Sequence, residues 1–434
     1  MMNWMASYQQ RIVAPEEAVR AVQSGQRVYI GGGCAMPQSL IDALVARACE
    51  LENVETVSIL VIGPAPFAAP EMEGHFRHNA LFIGQNVRAA VNEGRADFTP
   101  VFLYEIPDLF RNGTLPIDVA LIQVGPPDEH GFCSFGIEVG VTKPAAQSAR
   151  IVIAEINDRL PRVLGDSFIH VSKLDYVVPV SRPLVEFPQG EGGELADRIA
   201  RHIASLIEDG CTLQLGIGGI PDAVLHYLRD RKDLGVHTEL ASDGVMTLVE
   251  EGVITNEKKT LHPGKIVAGF LLGSQRLFDW ADNNPIIELH PTDYVNDPFI
   301  IAQNDNMISI NSAIQIDLTG QVCADSIGEV FYSGVGGQVD FVRGAARSKN
   351  GKPIIAMPAT AKGGSISRIV PVLDRGAGVV TSRADVHYVA TEYGIVNLHG
   401  RSVRERAKML ISIAAPQFRE QLERAAAERH LLAD

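Results

Sequence analysis

The chain has 434 residues, with 52 Asp and Glu against 38 Lys and Arg, a net charge of -14 and 46% hydrophobic side chains. At roughly 150 residues per domain this length predicts two or three globular domains, and the acid excess excludes a whole-molecule basic footprint for nucleic acid. Five cysteines without a Cys-x-x-Cys pair argue against a disulfide framework or zinc ribbon, and there is no apolar run of membrane-spanning length and no signal-peptide pattern, so a cytoplasmic protein with no nucleic-acid or membrane partner is expected.

The first predicted element is a helix over "PEEAVRAVQSG", with Pro15 in its first turn and Gly25 past its end. A strand, a glycine-rich turn, a proline and a helix follow in "SGQRVYIGGGCAMPQSLIDAL", from Ser24. The same order returns in "DGCTLQLGIGGIPDAVLHYL", from Asp209. Gly25, Gly31, Gly33, Pro37 and Leu44 match Gly210, Gly216, Gly218, Pro221 and Leu228, with one gap. The second copy is also preceded by a helix, "ELADRIARHIASLIEDG", with Leu195, Ile199, Ile203 and Leu206 on one face. Two halves that run helix, strand, glycine turn, helix, strand predict two similar open α/β domains with mainly parallel sheets. The Pro- and Gly-punctuated stretch "SRPLVEFPQGEGGELA" places the boundary near residue 190, for domains of 1–190 and 191–434.

Between the two copies, "HFRH" sets His75 and His78 at helical spacing, but no third ligand is identifiable and no metal site is expected. "PPDEHGFCSFG" crowds Asp128, Glu129 and His130 into what reads as a hairpin turn. "GIGGIP", Gly216 to Pro221, is either a plain strand-to-helix turn or a loop whose N–H groups approach a phosphate or an oxyanion. It departs from the dinucleotide fingerprint, because Pro221 stands where close helix packing wants Gly or Ala. In "LGVHTELASDG" the alternation puts His237 and Glu239 on one face of a strand and Val236, Thr238 and Leu240 on the other, and Ser242 or Asp243 can cap the next helix. Ligands of open α/β sheets bind beyond the carboxyl ends of the strands. That sets Glu239 beside the glycine loop; an ordinary exposed acid is the alternative, and Glu55, 184 residues earlier, is its competitor. A second cluster, "YSGVGGQVDFVRGA" from Tyr332, reads as a tight hairpin or bulge, or as another ligand loop. From Phe341 to Arg375, seven basic residues (Arg343, Arg347, Lys349, Lys352, Lys362, Arg368 and Arg375) accompany one acid, Asp374. This is a surface for a phosphate-bearing ligand, or else a solvated basic face.

In order along the chain, "PPDEHGFCSFG", "LGIGGIPDAV", "GVHTELASDG", "INSAIQIDLTGQV", "ADSIGEVFYSGVGGQVDFVRGA" and "ATEYGIVNLHGRSVRERA" resemble the acetyl-CoA hydrolase/transferase family, the glutamate-dependent CoA-transferases. The resemblance is strongest to the 4-hydroxybutyrate CoA-transferase group. It implies transfer of CoA between an acyl-CoA, acetyl-CoA first, and a short-chain carboxylate such as 4-hydroxybutyrate. Butyrate, propionate, succinate or itaconate as the acid, or hydrolysis of the acyl-CoA, are the alternatives. It implies that Glu239 of "HTE" is the nucleophile of a ping-pong reaction through a glutamyl-CoA thioester. Gly216, Ile217, Gly218, Gly219 and Ile220 are implied to contact CoA and offer an oxyanion N–H. Asn311 is implied to lie near the reacting thioester, and Gly336 and Gly337 to give the other oxyanion donor. Glu55 matches no motif of the family. Arg347 and Lys362 become candidates for the CoA phosphates. Met36 is a candidate for the acyl pocket, with core packing as its alternative. The resemblance also implies an active site between two domains, a homo-oligomer, and no metal or redox cofactor, coenzyme A being a substrate.

Overall fold

A computed structural model describes residues 4–187, 190 and 192–432. The chain forms two compact units: Met1–Pro188 with Val267–Val295, and Gln189–Ile266 with Asn296–Asp434. Residues 267–295, expected in the second domain, therefore group with the first. Backbone hydrogen bonds tie them there. Gly269 O accepts from Val139 N at 3.2 Å and Gly140 N at 3.0 Å, and Asn283 N donates to Arg162 O at 2.8 Å. The internal repeat could not reveal this, because it covers only the strand, turn and helix that open each half.

The first unit is built on seven strands: β1 (Arg27–Ile30), β2 (Val54–Ser58), β3 (Phe76–Ala80), β4 (Asp97–Phe98), β5 (Val119–Val124), β6 (Ile151–Asn157) and β7 (Tyr176–Val180). Their order is β7-β6-β5-β1-β2-β3-β4, and every pairing is parallel. All six residues of β5 are buried, as a central parallel strand covered on both faces requires. Helix α1 (Gln38–Ala46) packs Leu40, Ile41 and Leu44 into a core with Val28, Ile30, Leu121 and Ile153.

The second unit carries β8 (Thr212–Leu215), β9 (Gly235–Ala241), β10 (Met307–Ser312), β11 (Lys352–Ala356), β12 (Tyr388–Thr391) and β13 (Gly394–Asn397). They run β13-β12-β11-β10-β8-β9, parallel except for the final hairpin β12–β13. The expected mixed α/β class with mainly parallel sheets is what the structure has. The two orders also match: β7-β6-β5-β1-β2 in one unit corresponds to β12-β11-β10-β8-β9 in the other. In each, the strand that enters the glycine turn lies between the next strand in sequence and a later one. Helix α2 (Glu194–Ala204) precedes β8 and buries Ile199 and Ile203, but Leu195 is 40% exposed and the helix stops short of Gly210.

Two local expectations are corrected. "HFRH" lies on β3, not on a helix, so the period is two: buried His78 bonds Thr56, while His75 turns to Leu51 O. Among the described residues no group of three or more His, Cys, Asp or Glu is placed to hold a metal. The turn at Asp128 is closed by its own carboxylate, which accepts from His130 N and Phe132 N. Its strand, Phe132–Ser134, pairs with distant Phe168–His170 rather than forming a local hairpin. Among the described residues no helix is long and apolar enough to cross a membrane.

Candidate active site

Glu239 sits near the carboxyl end of β9, whose residues are otherwise buried. The face it shares with His237 is covered by helix α4 (Gln338–Arg347; α3 is Gly219–His226). The His237 ring lies 6.3 Å from Phe341, and Glu239 meets Gly337 at the start of α4. Thr238 faces the other way and hydrogen-bonds the backbone of Leu215. Register then brings the implied residues together. Thr212 pairs with Gly235 and with Met307; continued along the strands, this sets Gly216 between Glu239 and Asn311 at one edge of the sheet. Glu55 has a different place. It pairs with Arg27 at the amino end of β2 and forms a 2.8 Å ion pair with it, so its counterpart in the second half is Gly235.

Glu239 as a whole residue is partly exposed. Oε2 accepts a 3.2 Å hydrogen bond from Asn296 Nδ2, and the backbone N–H of Gly337 also bonds the carboxylate. Burial nevertheless dominates and pushes its pKa up to about 7; the small exposed area and the strong desolvation are compatible because protein packs around the group on most sides. Gly337 has an ordinary φ of -98°, so its role is room. A Cβ there would fall 2.0 Å from Glu239 Oε2 and 2.3 Å from Asn296 Nδ2. The cluster expected as a hairpin or a ligand loop is a loop that runs straight into α4. Gln338 ties it down, donating from Nε2 to Ser312 O at 2.6 Å.

The other glycine loop leaves β8 at Gly216. Gly218 adopts φ 114°, ψ -178°, a conformation open only to glycine, and Gly219 begins α3. Ile217 projects outward, 37% exposed. Asn311 exchanges amide hydrogen bonds with Gln214 on the neighbouring strand, at 3.1 and 3.4 Å. Gln214 and Asn296 are the residues that sequence reasoning missed. The amide inside the apolar strand "TLQL" was a usable signal for Gln214. Asn296, in "YVNDPF", carried none.

Models of the acetyl-CoA hydrolase/transferase N-terminal domain and C-terminal domain match residues 1–187 and 273–426. The chain is 54% identical over 421 residues to 4-hydroxybutyrate coenzyme A transferase of Clostridium kluyveri, covering 97% of this chain and 98% of that one. The chain belongs to the acetyl-CoA hydrolase/transferase family. It is 50% identical to a succinyl-CoA:acetate/propanoyl-CoA:succinate CoA transferase of Fasciola hepatica, covering 95% of this chain and 87% of that one. A crystal structure of a 4-hydroxybutyrate CoA-transferase from Porphyromonas gingivalis superposes with a TM-score of 0.85 at 42% identity, over 98% of this chain and 100% of that one. The protein is thus an enzyme of the CoA-transferase type.

In this family member the remaining candidates fall in different places. Four of the seven basic residues are held by acids: Arg343 by Asp385, Lys349 by Asp305, Lys352 by Glu208 and Arg375 by Glu329. The apparent local excess of positive charge is largely neutralised. Arg347 ends α4, about 15 Å from Gly337 at 1.5 Å per residue, and stacks on Phe299. Lys362 follows β11 on the edge that carries Glu239, in an exposed turn between Thr360–Ala361 and Ile366–Ser367. Met36 is 3% exposed within the first unit's core, where its Sδ accepts from Gly63 N at 3.2 Å; here it packs. An open cavity of about 470 Å³, lined among others by Cys211, Asn306, Lys352 and Tyr388, lies at the amino ends of β8, β10, β11 and β12. That is the sheet edge opposite Glu239.

Proposed function

We propose that this enzyme transfers CoA between acetyl-CoA and a short-chain carboxylate such as 4-hydroxybutyrate, with Glu239 as the covalent catalyst. The observation that carries the reading is the Glu239 carboxylate at the sheet edge, aligned by Asn296 and Gly337 beside the Gly216–Ile220 loop. The likeness to a 4-hydroxybutyrate coenzyme A transferase supports the choice of acid. Glu239 attacks the thioester carbonyl and expels CoA thiolate, giving a mixed anhydride. The thiolate attacks the glutamyl carbonyl, releasing the first acid and leaving a glutamyl-CoA thioester. The acceptor carboxylate then runs both steps in reverse. Splitting the exchange in this way gives ping-pong kinetics. Backbone N–H groups of the two glycine loops stabilise the tetrahedral oxyanions, each donor contributing about 3 kcal/mol to the transition state. These steps need no redox group.

The test is incubation with acetyl-CoA and no acceptor, followed by mass analysis. CoA is expected on the peptide containing Glu239, and borohydride inactivates the enzyme only after exposure to acyl-CoA. Glu239→Gln is expected to lose at least about three orders of magnitude of transfer, and Glu55→Gln to stay active. A screen of carboxylate acceptors then ranks the acids. Water outcompeting every acceptor would turn the assignment to hydrolysis, and near-normal transfer by Glu239→Gln would end it.

A further inference from the structure

We infer that Gly190 and Asp222 form a latch that holds the Gly218–Gly219 peptide with its N–H turned out of helix α3, toward the edge where the thioester reacts. This rests on the reading of the Gly216–Ile220 loop as a source of oxyanion donors. All four residues belong to the second unit. Gly190 backs directly onto the peptide: a Cβ on it would fall 2.6 Å from Gly219 N and 2.7 Å from Gly218 C. The φ of Gly190 lies outside the left-handed range, so glycine is there for room. Its N–H donates to Asp222 Oδ2 at 3.2 Å, and Asp222 N donates to Gly218 O at 3.1 Å. Asp222 therefore holds the peptide carbonyl with its backbone and the residue behind the peptide with its carboxylate. Burial and the charge of Asp243 both work against that carboxylate, and the Gly190 N–H is the group that favours it.

Two liberties of this loop make such a hold necessary. Neither Gly218 nor Gly219 has a side chain, so turning over the peptide between them meets little resistance from the residues themselves. A flip sweeps the carbonyl oxygen and the N–H through the space against which Gly190 is packed. With Gly190 behind the peptide and the Asp222 N–H on its carbonyl, one orientation is left, in which Gly219 N–H points out of the amino end of α3. The second liberty belongs to Asp222. The N–H groups of Gly219 and Ile220 open α3 and have no partner inside the helix, and the N-cap residue, Gly218, offers no side-chain acceptor. Asp222 stands three residues after Gly219, the spacing at which a capping-box acid bonds back to a backbone N–H. Folded back in that way, it would set a negative charge where the oxyanion forms. Bound to Gly190, it leaves both donors to the ligand. Gly190 and Asp222 touch no reacting atom and are positioning residues.

Rapid-quench mass analysis after mixing with acetyl-CoA alone reads how fast CoA becomes attached to Glu239. Asp222→Ala, which frees Gly190, is expected to slow attachment about tenfold, with KM for acetyl-CoA within about twofold of the wild-type value. Asp222→Asn keeps an oxygen that accepts from Gly190 N–H and is expected to restore the rate to within about threefold of wild type. Gly190→Ala, which pushes the peptide aside by about 1 Å, is expected to slow attachment about 100-fold. Because both act through one peptide, the double variant Gly190→Ala/Asp222→Ala should be no slower than Gly190→Ala alone. A merely structural role would lower the melting temperature of these variants while the folded enzyme kept its rate, and that result overturns the inference. So does an Asp222→Asn as slow as Asp222→Ala. Should Gly190→Ala fail to fold, the two Asp222 variants decide. Gly218→Ala, which distorts the loop itself, keeps the two readings apart. A slow Gly218→Ala beside an unchanged Asp222→Ala strikes the latch alone, whereas an unchanged Gly218→Ala strikes the role of the loop.

Discussion

Glu239 titrates at about 7 because desolvation disfavours its charge more than Asn296 and Gly337 favour it. In the proposed reaction the nucleophile is the carboxylate, so kcat/KM for acyl-CoA should rise with pH through about 7 and then level off; a plateau already reached near pH 5.5 would contradict this. The same carboxyl affects stability. Its ordinary pKa is 4.5, and folding raises it. Between the two values the folded protein holds a proton that the unfolded chain has lost, so stability falls as pH rises from about 4.5 to 7 and stays lowered above that. Glu239→Gln removes the effect. Its melting temperature should exceed that of the wild type at pH 8, by an amount worth at most about 3 kcal/mol, and approach it at pH 5. Calorimetry at the two pH values checks this. Gly337→Ala acts on the same carboxylate by contact. The backbone accepts alanine, but the methyl group would overlap Oε2 and Asn296, and a displacement of about 1 Å lowers kcat roughly 100-fold. A variant that turns over at the wild-type rate would mean Glu239 can work from another position.

The strand-and-turn elements were legible in the sequence because their signals are local. Alternation put Glu239 and His237 on one face, and positive φ explains Gly218. What was not legible depends on chain that returns from far away. Asn296 comes 57 residues after Glu239 without any periodic mark. The basic run looked unbalanced only because Asp305, Asp385, Glu208 and Glu329 are distant in sequence. Direction matters too: α4 leads away from the Glu239 edge, carrying Arg347 with it, whereas the turn after β11 stays there. Lys362→Ala should therefore raise KM for acyl-CoA several-fold, more at low salt than at high, while Arg347→Ala leaves it unchanged. The opposite ranking would move the phosphates to the far end of the helix. Gly218→Ala forces an L residue to φ 114° and should cost about 1–3 kcal/mol, visible as a lower melting temperature.

At the scale of the molecule, two units share one strand order, and the glycine turns hold corresponding positions in both. The repeat made this much readable before any coordinates, and it also explains why only one half carries the proposed nucleophile. The position matching Glu239 is Ile59, one residue past the end of β2, while Glu55 stands four residues earlier, near the strand's amino end. The repeat did not foresee the excursion of Val267–Val295 into the first unit, after which the chain re-enters the second at Asn296. That detour has a consequence for how the protein comes off the ribosome. The first unit cannot be finished when residue 188 emerges; it waits for a segment made about 80 residues later, roughly 4–16 s at 5–20 residues per second. Only then do Asn296 and, later, Gly337, which hydrogen-bond Glu239, appear. A nascent chain stalled near residue 260 should be readily cut by protease throughout its first half, and one stalled past residue 330 should be protected there.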